Sequence, residues 1–521
     1  METKLAVPIA AKNPDEARRQ IKSARAVGAD IIELRVDYIE DLTVGLVEHL
    51  VAETKDSGEK PLPVIVTCRD KQQGGIIDYP PSFRVDVLVA ALKAGAEFVD
   101  FEYDNFRSTE SRKGILHALL QSLKARLILS AHNFETKFDH IDKLYHEITR
   151  ACPEAIPKLV YTAHHINDCF EAFDLLNQAG GECIVFCMGE AGLISRILAK
   201  KLGGFLTFAS IDEQKATAPG QLTVERLRRL YRFDEINVET ELFGVIADPV
   251  GHSLSPAIHN ACFAEKGMNR LYLPLRVQGG SLEFDTFVIN ARLREWLHCR
   301  GFSVTIPHKQ NALKYVRTND GLIEPLAEMI GAANTLLIDL HGKLFAYNTD
   351  YAGALDAITA GMGIRRAGLK ALPVAIIGAG GVARAIVAGL SDAGADITIY
   401  NRTVEKAEKL AAEFDCTFAP LDGVRKIDAK LVVNCTSIGM HPNVEATPVP
   451  KEALKESMTV FDTVYNPART LLLKDAESKG AQTIDGLAMF VNQAMAQFKL
   501  FTGTDGNPNL MRNVVLEKLQ C

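Results

Sequence analysis

The chain has 521 residues, 47% of them hydrophobic and 24% charged, an ordinary globular composition with room for roughly two to four domains. Its net charge of −7 offers no general attraction for nucleic acid or an anionic membrane, which leaves small molecules as the expected partners. No uninterrupted apolar run is long enough to span a membrane.

Ten cysteines are scattered along the chain without a C-x-x-C pair. Cys183 and Cys187 lie inside the strand-like "CIVFCM", a poor arrangement for a metal or a disulfide. All ten are expected as reduced thiols in a cytoplasmic protein with no metal site. The opening "METKLAVPIAAKNPDE" lacks the basic and apolar regions of a signal peptide.

Along residues 1–228, short apolar runs alternate with helical patterns. The runs are "LAVPIAA" (5–11), "IIELRVD" (31–37), "PVIVTCR" (63–69), "EFVDFEY" (97–103), "RLILSAHN" (126–133), "KLVYTA" (158–163), "CIVFCMG" (183–189) and "FLTFAS" (205–210). Between them, stretches such as 15–29 and 142–152 carry apolar residues at helical spacing. Eight such units predict an α/β fold of the (β/α)8 barrel type; a doubly wound open sheet is the alternative, and the count of eight favours the barrel.

Polar residues at the C-terminal ends of barrel strands converge on one mouth. That rule collects Glu33, Arg35 and Asp37 from strand two, Arg69 from three, His132 from five, Arg196 after seven and "TAPGQ" (217–221) after eight. Three arginines at one mouth suggest a substrate bearing a carboxylate, which guanidinium matches bidentately. Each could instead neutralise a neighbouring acid, as Arg35 could with Glu33. In "IPKLVYTA" (156–163), Lys158 heads an apolar strand, for which an exposed strand end is the ordinary explanation.

In their order, "IELRVD", "TCR…GG", "SAHNF", "KLVYTA", "MGEAGLISR" and "TAPGQ" make residues 1–228 resemble the type I 3-dehydroquinate dehydratases. The resemblance implies that Lys158 forms an imine with the substrate ketone and that His132 acts as general base and then general acid. It also implies that Arg196 and Gln221 hold the substrate carboxylate and ring, helped by Glu33, Arg35, Arg69 and Thr217, with no metal. A cationic imine supplies the electron sink that proton removal beside a ketone needs. Only a neutral amine can form one, and at an ordinary pKa of about 10.4 roughly one lysine in 2,500 is neutral at pH 7. A dry surrounding rich in arginine is therefore expected around Lys158. Two positions depart from the family: Gln73 stands where Glu is usual, and Thr217 where Ser is usual. A glutamine can hold a substrate hydroxyl but cannot exchange a proton with it, so a slower dehydratase is expected.

A charged stretch over 221–241 is too helical for a flexible tether and reads as a short, semi-rigid connection. Beyond it, "ALPVAIIGAGGVARAIVAGL" (371–390) runs from an apolar strand into Gly378, Ala379, Gly380 and Gly381 and then a helix. This is the arrangement that lets backbone and helix N-terminus approach a pyrophosphate. The next strand, "DITIY" (396–400), ends in Asn401, Arg402 and Thr403 rather than an acid, and Lys406 lies one helical turn further on. Positive charge there suits the 2′-phosphate of NADP and leaves NAD less to hold it.

With "FGVIADPVGHSLSPAIHN" (243–260), "GFSVTIPHK" (301–309), "IGAANT" (330–335), "NTDYAG" (348–353), "NCTSIGM" (434–440), "FDTVYNP" (461–467) and "DGLAMFVNQ" (485–493), residues 241–521 closely resemble shikimate dehydrogenases. The resemblance implies that Ser253 and Ser255 bond the substrate carboxylate and that Thr305, Asn334, Tyr465 and Gln493 add substrate contacts. Lys309 and Asp350 would form the catalytic pair. Val382, Thr463 and Gly486 would join Gly378–Gly381, Asn401–Thr403 and Lys406 in holding NADP. A Lys/Asp pair suits the reaction, because hydride transfer to a carbonyl builds negative charge on oxygen that an ammonium stabilises and protonates.

The family often has Gly where Ala247 and Ala346 stand, and frequently Asn where Ser303 stands, so the fit of shikimate against quinate is affected. The implied layout is a barrel over 1–228, a linker over 229–240, a shikimate-binding lobe over 241–352 completed by helices over about 490–521, and a Rossmann-like NADP lobe over 353–489. Two consecutive steps of one pathway in one chain are the expected function. The rivals are a quinate-directed dehydrogenase fused to the dehydratase, and a non-catalytic regulator built from the same domains.

Overall fold

In a computed structural model of the chain, eight parallel strands follow one another: β1 (Lys4–Ile9), β2 (Ile31–Arg35), β3 (Val64–Thr67), β4 (Phe98–Glu102), β5 (Arg126–Asn133), β6 (Ile156–Thr162), β7 (Ile184–Met188) and β8 (Leu206–Phe208). Their order, β7-β6-β5-β4-β3-β2-β1-β8, is the chain order wrapped round until β8 lies beside β1. Across the remaining gap, Phe205 N–H donates to Cys183 O at the start of β7, so the sheet is a barrel rather than an open sheet. The structure describes residues 2–55, 61–107, 112–113, 115–116, 118–119 and 125–520. They divide into two units, Met1–Thr240 with Leu275–Gln278, and Glu241–Pro274 with Gly279–Cys521.

Seven of the barrel strands are buried almost end to end, as a parallel sheet covered on its outer face requires, while β5 is half-buried over Ala131, His132 and Asn133. Barrel interiors fill in layers whose side chains come from alternate strands. Here the even strands set Glu33 (β2) and Asp100 (β4) within reach of Lys158 (β6), and Phe208 (β8) lies under the lysine. Because β6 begins at Ile156, Lys158 is its third residue and is 4% exposed, not an exposed strand end. Residues 229–240, expected as a linker, pack on the barrel: Lys200 Nζ and Lys201 Nζ donate to the carbonyls of Asp234 and Val238, each at 2.6 Å.

In the second unit, a mixed sheet is built from β9 (Glu241–Ala247), β10 (Arg270–Arg276), β11 (Cys299–Val304), β12 (Leu322–Ile323), β13 (Thr335–Ile338) and β14 (Leu344–Tyr347), in the order β10-β9-β11-β13-β14-β12. A second sheet is built from β15 (Pro373–Ile377), β16 (Asp396–Asn401), β17 (Thr417–Pro420), β18 (Leu431–Asn434), β19 (Thr459–Asp462) and β20 (Gln482–Ile484). It is wholly parallel, ordered β17-β16-β15-β18-β19-β20. Strand order reverses at β15, the switch point at which doubly wound sheets bind ligands.

The C-terminal helices Gly486–Thr502 and Pro508–Gln520 bring Leu487, Val491, Phe498, Met511 and Val515 into one core with Phe243 and Val245 of β9. The helix Thr349–Met362 packs tightly against Gly486–Thr502, because a Cβ at Gly353 would lie 2.7 Å from Gln493 N. That approach fixes the start of Thr349–Met362, where Asp350 sits.

Candidate active sites

The barrel interior carries a cluster of buried charge. Lys158 Nζ lies 2.7 Å from Asp100 Oδ2 and 3.5 Å from Glu33 Oε1, with the Phe208 ring centroid at 4.7 Å. Asp100 Oδ2 also accepts from Arg69 Nη2 at 2.8 Å, and its Oδ1 accepts from Ser130 Oγ at 2.6 Å. Arg69 Nη1 donates to Glu102 Oε1 at 3.0 Å, and Glu102 Oε2 accepts from Arg84 Nη1 at 2.8 Å. Thr67 Oγ1 donates to Glu33 Oε1 at 2.8 Å. With each group in its usual charge state, Lys158, Arg69 and Arg84 balance Glu33, Asp100 and Glu102. Burial opposes the Asp100 carboxylate, but the Arg69 and Lys158 charges outweigh it and hold the acid below its ordinary range.

The expectation of an amine ringed by arginine is therefore corrected: acids hold Lys158 directly, and Arg69 reaches it through Asp100. Arg35 is also spent, but on Asp37 rather than Glu33, in a bidentate pair with both bonds at 2.8 Å. Of the three arginines, Arg196 alone has buried guanidinium nitrogens, Nε and Nη2, without a hydrogen-bond partner. It is 1% exposed, lies over the Phe186 ring at 4.4 Å, and burial lowers it to about 10. Phe186 meets Phe208 at 5.7 Å, so one aromatic wall runs from beneath Lys158 to beneath Arg196. A buried cation without a counter-charge is costly, and a carboxylate is its natural complement.

On β5, His132 backbone N–H donates to Gln73 Oε1 at 2.9 Å, and the ring stacks on Phe134 at 5.8 Å. Its Nδ1 is shielded and has no partner. Burial first, then the Arg69 and Lys158 charges, hold the imidazole well below its usual 6.5. After β8, the backbone N–H and Oγ1 of Thr217 donate to Gln221 Oε1 at 2.8 and 3.2 Å, and Pro219 O accepts from Gly189 N–H beyond β7.

In the second unit, Lys309 opens the helix Lys309–Thr318 and Asp350 lies in the first turn of Thr349–Met362. Their Nζ and Oδ2 are 2.5 Å apart. Asn334 Nδ2 donates to Asp350 Oδ1 at 2.9 Å, and Asn334 Oδ1 accepts from Thr349 N–H at 2.8 Å. Thr305 sits in the turn that leads to Lys309, its carbonyl accepting from His308 N–H. Ser253 Oγ accepts from Ser255 N–H at 3.3 Å at the head of the helix Ser255–Glu265. Tyr465 stacks on Phe490 at 4.9 Å, and Phe490 O accepts from Gln493 Nε2 at 3.0 Å. Among the described residues, no direct hydrogen bond joins Ser253, Ser255, Thr305, Tyr465 or Gln493 to the Lys309–Asp350 pair.

At the end of β15, Gly378 takes φ +111° and its N–H donates to Tyr400 O, a conformation suited to glycine. Gly380 caps the helix Gly381–Asp392, and a Cβ at Gly380 or Gly381 would meet nothing within 4 Å. Ala379 and Val382 pack against the core beneath. This open glycine cradle at a helix N-terminus fits a pyrophosphate. Beyond β16, Asn401 Nδ2 donates to Thr403 O at 2.8 Å, while Arg402 and Lys406 are exposed and form no ion pair among the described residues. Thr463 donates through both N–H and Oγ1 to Asn434 O. A Cβ at Gly486 would lie 2.4 Å from Val464 O, so the backbone passes closest there.

The sequence left out Thr67, Arg84, Asp100, Glu102 and Ser130. The signal existed in "EFVDFEY", where two acids two residues apart must share one face of a barrel strand.

Family profiles match most of the chain. One described as type I 3-dehydroquinase covers residues 5–238. Three others, described as shikimate dehydrogenase substrate binding domain, shikimate/quinate 5-dehydrogenase and shikimate 5′-dehydrogenase C-terminal domain, cover 245–336, 364–464 and 486–516. Fold and profiles together define a dehydratase barrel followed by a shikimate dehydrogenase.

The chain is 36% identical over 520 residues to the bifunctional 3-dehydroquinate dehydratase/shikimate dehydrogenase, chloroplastic, of Arabidopsis thaliana, covering 96% of this chain and 82% of that one. It belongs to the family of bifunctional 3-dehydroquinate dehydratase/shikimate dehydrogenases. Over its second part it is 42% identical to the shikimate dehydrogenase (NADP(+)) of Methanosarcina mazei, covering 54% of this chain and 99% of that one. A solved shikimate dehydrogenase in complex with NADP+ superposes with a TM-score of 0.50 at 39% identity, covering 55% of this chain and 97% of that one. No helix of the described residues is long and apolar enough to cross a membrane.

With its imidazole held well below 6.5, His132 is expected to stay neutral as pH falls from about 8 to 6. A histidine ring NMR titration, assigned with a His132→Gln variant, should show no His132 inflection in that window; an inflection near 6.5 contradicts the burial described here.

Proposed function

We propose that the chain dehydrates 3-dehydroquinate to 3-dehydroshikimate at the barrel and reduces that product to shikimate with NADPH at the second unit. One observation carries the reading: a buried lysine on β6, salt-bridged to Asp100, shares an aromatic wall with a buried arginine that has unpaired nitrogens. Arg196 would take the substrate carboxylate, with Thr217 and Gln221 at the ring and Glu33, Arg35 and Arg69 framing the pocket. Lys158 would pass its proton to the cluster and attack the ketone carbon; that proton then returns to the carbinolamine oxygen, which leaves as water and gives a protonated imine. That cation takes the place of the ammonium beside Asp100, so the buried charge balance is kept at the step where the electron sink is needed.

His132, neutral, removes the C2 proton and then delivers it to the departing hydroxyl. Gln73 holds the His132 backbone rather than exchanging a proton, consistent with a slower dehydratase. Hydrolysis of the imine then releases 3-dehydroshikimate and frees the lysine.

NADPH, when bound, supplies the hydride. Gly378, Ala379, Gly380, Gly381 and Val382 would cradle its pyrophosphate, and Thr463 and Gly486 would line the site. Asn401, Arg402, Thr403 and Lys406 would take its 2′-phosphate; no acid stands among Asn401–Thr403, and Arg402 and Lys406 flank the single acid, Glu405, of the following helix turn. Lys309 would donate a proton to the developing alkoxide while Asp350 orients it. Ser253 and Ser255 would hold the substrate carboxylate, with Thr305, Asn334, Tyr465 and Gln493 around the ring. Ala247 and Ala346 are buried in this lobe. The presence of Lys158, His132, Lys309 and Asp350 favours an enzyme over a sensor. The nine described cysteines are free, which suits a reducing compartment such as the cytosol.

Supplied with 3-dehydroquinate alone, the chain should yield 3-dehydroshikimate; with NADPH added, it should yield shikimate. Lys158→Ala should abolish dehydration and leave NADP-dependent shikimate oxidation within about twofold of the parent, because the two chemistries use separate residues. Dehydration surviving in Lys158→Ala removes the barrel mechanism.

Arg402→Ala should raise KM for NADP about tenfold or more, the loss of roughly 1.4 kcal/mol, and leave the weaker use of NAD unchanged. Equal effects on both cofactors contradict a 2′-phosphate contact.

A further inference from the structure

Asp350 stands at the end of a buried chain of hydrogen bonds in which the proposed chemistry gives no role to any member behind Asn334. Tyr272 Oη donates to Ser303 Oγ at 2.5 Å, and Ser303 Oγ donates to Gln497 Oε1 at 2.7 Å. Gln497 Nε2 donates to Thr335 Oγ1 at 3.0 Å and to the Asn334 carbonyl at 3.2 Å. Thr335 Oγ1 donates to Asn334 Oδ1 at 2.8 Å, and Asn334 Nδ2 donates to Asp350 Oδ1 at 2.9 Å. Every member before Asp350 is at most 5% exposed.

The direction of this chain is fixed by groups that cannot reverse. The Thr349 N–H, a donor only, meets Asn334 Oδ1 and forces the amide nitrogen onto Asp350. The Asn334 carbonyl, an acceptor only, takes Gln497 Nε2 and forces Gln497 Oε1 toward Ser303. Ser303 must then donate to Gln497 and accept from Tyr272. Gln497 is the member contributed by a different element, the helix Gly486–Thr502, and it ties β11 to β13 immediately behind Asn334. Ser303 is thereby occupied in the interior, rather than presenting its hydroxyl to a ligand.

We infer that Gln497 is a positioning residue for the dehydrogenase step, holding Asp350 against Lys309 through Thr335 and Asn334. Buried polar networks with every member satisfied specify one arrangement, and here the arrangement specified is that of the Lys309–Asp350 pair. Without Gln497, Thr335 and Ser303 each lose one of their two partners and the Asn334 carbonyl loses its side-chain donor, so the backbone that carries the Asn334 amide to Asp350 is held less firmly, although Thr349 N–H still sets which way that amide faces. The inference rests on the proposed role of that pair.

The test uses the full chain with Gln497→Leu and, separately, Thr335→Val, which removes the linking hydroxyl at nearly constant volume. Rates are normalised to NADP binding sites, so that loss of folded protein is not counted as loss of catalysis. Both variants should show kcat for shikimate oxidation reduced about tenfold or more, with KM for shikimate and NADP within about twofold, since misplaced catalytic groups cost turnover rather than uniform binding. Dehydratase activity, from the barrel, should not change. If Gln497→Leu does not fold, Thr335→Val decides. Parental kcat per binding site in Thr335→Val overturns the inference, as does raised KM at parental kcat, which would make this a binding group. If the parent itself does not oxidise shikimate, the proposed function fails and takes this inference with it.

Discussion

A charge placed inside a barrel must be answered by another charge, and the first unit depends on that constraint. Desolvating an ion costs several kcal/mol even after the protein relaxes, so Lys158 stays inside only because Asp100 meets it at 2.7 Å. Asp100 in turn is held by Arg69, Arg69 by Glu102, and Glu102 by Arg84. Removing one member would strand the next, so the cluster holds or fails together. Its rigidity matters more than its net stability, because a buried ion pair is often no more stabilising than a packed apolar residue. Within it, the amine is aimed at one place while Phe208 shields its other side.

The second unit solves a related problem with helix ends. Lys309 and Asp350 each stand at the start of a helix, one on Lys309–Thr318 and the other on Thr349–Met362. The helix N-terminus suits the carboxylate and not the ammonium, so the lysine needs Asp350 for its place. Asn334 and the buried amide of Gln497 supply the fixity that a partly exposed pair would otherwise lack. In both units a lysine meets an aspartate, and in both the aspartate is anchored by groups further inside.

Much of this was legible in the sequence where periodicity or glycine carried the signal. Eight apolar runs read as eight barrel strands, and Gly378 to Gly381 read as a cradle because a strand precedes them and a helix follows. Lys158 was less legible, since an ammonium at the apparent head of a strand looks exposed until the strand is seen to begin two residues earlier. The partners of Lys158 were not legible as a cluster. Asp100 and Glu102 share β4, but Ser130 comes from β5 and Arg84 from the helix Pro81–Lys93, and only the fold brings them together. The same holds for Gln497, one helical turn beyond Gln493 and unremarkable until Ser303, Thr335 and Asn334 fold around it. The pairing of Arg35 with Asp37 and of Arg69 with Asp100 and Glu102 was not legible either, because an arginine in a sequence does not reveal which acid it meets.

The account is tested most directly by trapping the nitrogen it singles out. Borohydride added to the parent chain with 3-dehydroquinate should leave a stable secondary amine, found by peptide mass spectrometry on Lys158 and absent when substrate is omitted. A chain that turns over under these conditions yet carries no adduct on Lys158, or carries it on another lysine, would contradict the claim that this salt-bridged amine is the nucleophile.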